Sequence, residues 1–122
     1  IINIASNTKF YGLKDNFTHK SRLKNITCGD KISIEIILNR NIIKGLRYET
    51  EACIMCQASA SLLAELVKNK DINKTKEKIM RFNFKYSNNI TNKKLKYLFN
   101  KKFISRKECV LLPFKAFLKA VK

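Results

Sequence analysis

The chain has 122 residues, enough for one domain with its own core, so its four cysteines are not needed as disulfide staples. Its 26 lysines and arginines against 9 acidic residues give a formal charge of +17. No apolar stretch approaches the roughly 20 residues of a membrane-spanning helix, and Ile1-Ile2-Asn3-Ile4-Ala5 is too short for a secretory signal.

These bounds predict a cytoplasmic, reduced protein whose cysteines stay thiols or bind metal. The first residue is Ile1 rather than methionine, as expected of a trimmed or incomplete N-terminus. The positive charge raises nucleic acid as a partner. The lysines, however, are scattered among asparagines and isoleucines without a recognition motif, so a solvated basic face is expected instead of specific nucleic-acid binding. An acidic protein partner would use the same field.

In chain order, residues 1 to 22 carry turn signals at Gly12 and Asn16 and no sustained period, which predicts an irregular lead-in. Arg22 to Thr27 reads as a strand running into Cys28. Lys31 to Asn39 alternates, with Ile32, Ile34, Ile36 and Leu38 on one face and Ser33 and Glu35 on the other, the pattern of a half-buried strand. Asn39-Arg40-Asn41 offers a turn into a further strand over Ile42 to Glu51, with Ile42, Leu46 and Tyr48 facing one way, so the pair predicts an antiparallel hairpin.

After Cys53 the period becomes helical through about Asn69, along Met55, Ala58, Leu62 and Leu66, and the small residues Ala58-Ser59-Ala60-Ser61 allow close approach to a sheet. Asp71 is placed to cap a second helix carrying Ile72, Ile79 and Met80. Asn83 to Asn92 reads as a loop, and Thr91 or Asn92 starts a helix carrying Leu95, Leu98 and Phe99. Ser105-Arg106-Lys107-Glu108 forms a capping box for the last helix. Pro113 should kink or restart that helix, and Phe114, Phe117, Leu118 and Val121 give it an apolar stripe. Strands first and helices after predict one α+β domain over 1–122, a small antiparallel three-stranded sheet with helices packed on one face.

The chemistry concentrates in the cysteines. Cys28 and Asp30 are two residues apart, and in extended backbone they project to the same side, with Gly29 allowing a sharp turn between them. With Cys53 at a strand-to-helix junction and Cys109 early in the last helix, they make a complete tetrahedral set for a borderline-soft metal such as zinc. Cys56, one helical turn from Cys53, is expected to be a small buried side chain facing the sheet rather than a ligand or a redox partner.

Thr27-Cys28-Gly29-Asp30, an alternating hairpin, Cys53 followed by Ala58-Ser59-Ala60-Ser61, and Cys109 in a terminal helix together resemble the SufU, IscU and NifU iron-sulfur cluster assembly proteins. The resemblance runs from about Asn7 to the C-terminus. Asn7 and Gly12 match parts of that group's Asn-Pro-Arg-Asn-x-Gly segment without its proline, and the helix ahead of it is truncated or degenerate here. The chain lacks the Leu-Pro-Pro-Val-Lys segment of IscU-like scaffolds and has Glu108 where they carry a histidine before the last cysteine. His19, the sole histidine, is expected to be exposed in the lead-in. Arg106, three residues before Cys109, matches an arginine of the SufU branch, with a possible assisting role in the site.

The resemblance implies a SufE/NifU-like fold and a zinc-binding sulfur acceptor, sulfurtransferase-like rather than a stand-alone enzyme. Cys28, Asp30, Cys53 and Cys109 would hold zinc, and a PLP-dependent, SufS-like cysteine desulfurase would pass persulfide sulfur to Cys28 for downstream cluster-assembly or apo acceptor proteins. The alternatives are an IscU/NifU-like scaffold carrying a [2Fe-2S] cluster or iron on the same residues, and a zinc-stabilised basic nucleic-acid-binding module.

Overall fold

A computed structural model describes residues 11–14, 17–25, 29–52, 54–80 and 107–121. Three strands, β1 (His19–Lys24), β2 (Lys31–Asn39) and β3 (Ile42–Glu51), form an antiparallel sheet in the order β1-β2-β3. Helices α1 (Ile54–Val67), α2 (Ile72–Met80) and α3 (Lys107–Ala120) complete the described elements. The expected hairpin bounds agree with β2 and β3. The first strand begins at His19 and ends at Lys24, earlier than Arg22 to Thr27, because its pairing runs from His19 opposite Ile36 to Lys24 opposite Lys31.

Alternation in β2 buries Ile32, Ile34 and Ile36 beneath the helices, each such side chain contributing about 1.5–3 kcal/mol on leaving water. Across from them stand Tyr48 and Leu46 of β3, and Ile43 rather than Ile42 joins the core. A register shift at Ile37/Leu38 exchanges the faces near the turn. That turn is Arg40-Asn41, with φ of 52° and 67°, the left-handed pair whose twist suits a two-residue hairpin.

Helix α1 is buried on most of its circumference, because it lies between β3 and α3. Its Ala-Ser stretch touches both neighbours. Ser59 Oγ donates to the Val110 carbonyl of α3 at 2.5 Å, and Ser61 hydrogen-bonds the Tyr48 side chain of β3. Asn69, with φ of 63°, ends the helix in a left-handed conformation. Asp71 then caps α2, its Oδ1 accepting from the amides of Asn73 and Lys74 at 2.9 and 3.1 Å. Ile72 and Ile79 of α2 are buried as expected, whereas Met80 is 70% exposed.

Helix α3 continues through Pro113 without interruption. Proline removes only the donor toward the Cys109 carbonyl, and Val110, Leu112, Phe114, Ala116 and Phe117 on both sides of it are buried. The expected loop over Asn83 to Asn92, the helix carrying Leu95, Leu98 and Phe99, and the Ser105 capping box lie outside the described residues.

Two expectations for polar residues are corrected. Glu35 is 1% exposed rather than solvated, because residues 11–14 cross the outer face of the sheet and Lys14 N donates to its Oε1 at 2.9 Å. Arg47, opposite Glu35 in register, holds the same segment by donating to the Gly12 and Tyr11 carbonyls. His19 belongs to β1 and is half-buried, with Nδ1 2.9 Å from Thr18 Oγ1.

Candidate metal centre

The direction of each element defines two ends of the domain. Ile43 N donates to Lys70 O and Asn69 N to Ile43 O, so the C-terminal end of α1 lies beside the start of β3. Its N-terminal end follows the other end of β3, where Glu51 pairs with Lys31. Ser59 meets Val110, and Phe114 shares a groove with Leu63 and Val67, so α3 runs alongside α1 in the same direction. Cys109 therefore lies toward the end of the sheet at which β1 passes into β2 and β3 passes into α1.

The β1–β2 connection at that end is closed by Asn25 N donating to Asp30 O and Gly29 N donating to Asn25 O, both at 2.7 Å. Gly29 has φ of 76°, and a Cβ there would meet nothing within 4 Å. The glycine is required by backbone conformation and not by space. Asp30 follows it, 7% exposed, with Oδ2 buried and without a hydrogen-bond partner among the described residues. Buried carboxylate oxygens are ordinarily satisfied, so an orphaned one at a loop-to-strand junction leaves room for a partner that the protein does not supply, a water or a cation.

Cys109 is 4% exposed and is a buried thiol. Cys28, Cys53 and Arg106 lie outside the described residues. Their described neighbours Gly29 and Ala52 stand at the same end of the sheet as Asp30, since Lys31 opposes Glu51. Among the described residues no group of three or more His, Cys, Asp or Glu side chains is close enough to hold a metal ion. Asp30 and Cys109 are both buried and are of donor types that zinc takes, a carboxylate oxygen and a thiolate sulfur. Glu108 is exposed and accepts from Lys115 Nζ at 3.1 Å.

Cys56 is fully buried beside Tyr48, as its small size predicts. Burial pushes the Tyr48 phenol above its ordinary 10.0, and the Ser61 hydrogen bond pulls the other way. Sequence reading missed this Tyr48–Ser61–Cys56 cluster. Its signal was the recurrence of Cys56 and Ser61 on a small-residue helix placed directly after a strand that carries a tyrosine.

Residues 1–98 match the model of the NifU-like N terminal domain. The chain belongs to that family. It is similar to the iron-sulfur cluster assembly scaffold protein IscU of Thermotoga maritima, 36% identical over 67 residues, which are 55% of this chain and 47% of the relative. It is also similar to the zinc-dependent sulfurtransferase SufU of Bacillus subtilis, 38% identical over 50 residues, 41% of this chain and 34% of the relative. The chain thus spans about half or less of the length of these curated relatives. In fold it matches a SufU from Fervidobacterium islandicum, described as a candidate scaffold of the SUF system, with a TM-score of 0.83 and 23% identity over 99% of this chain and 93% of that one. The three-stranded sheet and helices of this NifU-like chain are the fold of that SufU structure.

Proposed function

We propose that this chain is one SufU/IscU-like domain serving as a sulfur carrier in cytoplasmic iron-sulfur cluster assembly, with Cys28 as acceptor and Cys28, Asp30, Cys53 and Cys109 as zinc ligands. The observation that carries the reading is Asp30, a buried carboxylate with an unpartnered oxygen beside the Gly29 turn. A cation ligand role accounts for it.

The chemistry asked of Cys28 is thiol exchange. Its thiolate attacks the terminal sulfur of a cysteine persulfide on a PLP-dependent desulfurase, a new S–S bond forms on Cys28, and the donor cysteine leaves as a thiolate. Bound zinc would keep its thiolate ligands deprotonated and guarded from oxidation. Arg106 is assigned a positioning role toward the acceptor thiolate. Downstream acceptors would then take the persulfide sulfur.

The exposed Glu108, engaged with Lys115, favours the carrier over a scaffold that needs a fourth nitrogen ligand at that position. The relationship to the Thermotoga scaffold supports the second reading, in which the same residues carry a [2Fe-2S] cluster as cargo. Metal analysis of the isolated protein, paired with a desulfurase assay, separates the two. The carrier reading expects one zinc per chain and stimulation of the desulfurase that Cys28→Ala abolishes. Absence of zinc, together with stimulation that survives Cys28→Ala, would remove it. Cluster absorbance after anaerobic loading with iron and sulfide, followed by transfer to an apo acceptor, would establish the scaffold.

A further inference from the structure

The helical side of the domain carries a groove that the proposed sulfur chemistry does not use. A trough of about 490 Å³ runs between the C-terminal half of α1, α2 and α3. Its floor is apolar, built from Leu63, Leu66, Val67, Ile79 and Phe114. One wall carries Lys74 and Lys78, one turn apart on α2, and Lys70, two residues before that helix begins. All three are exposed, and none forms an ion pair among the described residues. Asp71, the acidic residue in the lining, spends its Oδ1 on the amides that start α2. With a rise of about 1.5 Å per residue, Leu66 lies about 18 Å along α1 from Ile54, well away from the end that holds Asp30.

We propose that this groove docks an acidic amphipathic helix of a protein partner, its apolar side on the Leu66–Phe114 floor and its carboxylates on the Lys70–Lys74–Lys78 row. Charge decides the occupant. The chain's own residues 81–106 contain eight lysines and arginines and no acidic residue, so they offer no carboxylate to the lysine row. A second copy, at +17, is repelled as well. Nucleic acid would satisfy the lysines, but its phosphate backbone gains nothing from a floor of leucine, valine, isoleucine and phenylalanine. A helix with glutamates four residues apart matches the lysine spacing, and helix-in-groove recognition supplies the apolar half of the contact.

The test is fluorescence anisotropy of the full chain with a labelled helical peptide bearing glutamates at four-residue intervals on one face and leucines on the other. Binding should fall at least about tenfold on combined Lys70→Glu, Lys74→Glu and Lys78→Glu, and on replacing the peptide's glutamates with glutamine. Leu66→Ala should weaken it at unchanged charge, while Lys20→Glu with Lys24→Glu on the sheet should leave it unaltered. Circular dichroism melts confirm that each variant folds. The proposal is overturned if both charge reversals weaken binding equally, or if Leu66→Ala has no effect while duplex DNA competes for the lysine row. Failure of the peptide to bind at low salt overturns it too. Amide protection or dimerisation would then identify residues 81–106 or a second copy as the occupant. None of these readouts depends on zinc or sulfur transfer.

Discussion

The two ends of the sheet are built on opposite terms. At the Arg40–Asn41 end, a two-residue turn reverses the chain and the start of β3 is tied to the helical layer by Ile43 N to Lys70 O, Asn69 N to Ile43 O and Ile72 N to Asn41 O. Backbone groups there find partners, and Ile43 is fully buried. At the other end, a longer connection between β1 and β2 turns through Gly29, and the buried Asp30 Oδ2 and Thr50 Oγ1 have no hydrogen-bond partner among the described residues. An unsatisfied buried acceptor costs about 1–3 kcal/mol, so one end is organised for stability and the other gives some of it up. Surrendered stability at one place in a fold is what a binding or catalytic site looks like before its ligand is considered.

The contrast can be broken most severely at the satisfied end. Ile43→Ala should destabilise the protein by about 2–5 kcal/mol in urea unfolding, since it removes a wholly enclosed side chain where the sheet meets the helices. Asp30→Ala should do the reverse in metal-free protein, leaving stability unchanged or raising it by as much as about 1–3 kcal/mol as the orphaned acceptor is removed. With zinc present the order inverts, because the variant has lost a proposed ligand. A metal-free Asp30→Ala protein that melts well below its parent would show that the carboxylate is structural. Gly29→Ala should cost about 1–2 kcal/mol from the left-handed backbone alone, because the added methyl has open space around it.

The difference between the two ends also explains what could be read in advance. The bounds of the β2–β3 hairpin were legible because alternating isoleucines and a compact polar turn mark them, whereas the register shift at Ile37/Leu38 that puts Ile43 in the core in place of Ile42 was not. The Asp71 cap was legible for the same reason: its bonds are to residues two and three positions on. Glu35 was misread because the residue that bonds it, Lys14, comes 21 residues earlier, and alternation reports which face a side chain takes, never what crosses that face. Of the candidate site, Asp30 could be named from its neighbours Cys28 and Gly29. Its burial and missing partner could not, since both depend on β3 and the helices arriving at the same end of the sheet.

The smallest predicted effect tests whether the interior between the two ends is as dry as the core packing requires. Tyr48 sits mid-strand on β3, its ring edge against Tyr11 with centroids 5.5 Å apart and its hydroxyl hydrogen-bonded to Ser61. Burial raises its pKa above the unfolded 10.0, so the folded state holds the phenolic proton more tightly than the unfolded chain does. The stabilising contribution is complete below pH 10 and is lost as pH climbs from 10 through the folded value, because only the unfolded state then ionises freely. Lysine deprotonation occurs in the same range and must be subtracted. Tyr48→Phe provides the subtraction, since it keeps the ring and removes the titrating group. Urea midpoints measured from pH 8 to 11 should fall more steeply in the parent than in Tyr48→Phe, and the variant should be weaker by about 1 kcal/mol at pH 8 from the lost hydrogen bond. Parallel curves would mean that the hydroxyl reaches water, and that the small-residue face of α1 seals β3 less tightly than Ala58, Ala60 and Ser61 indicate.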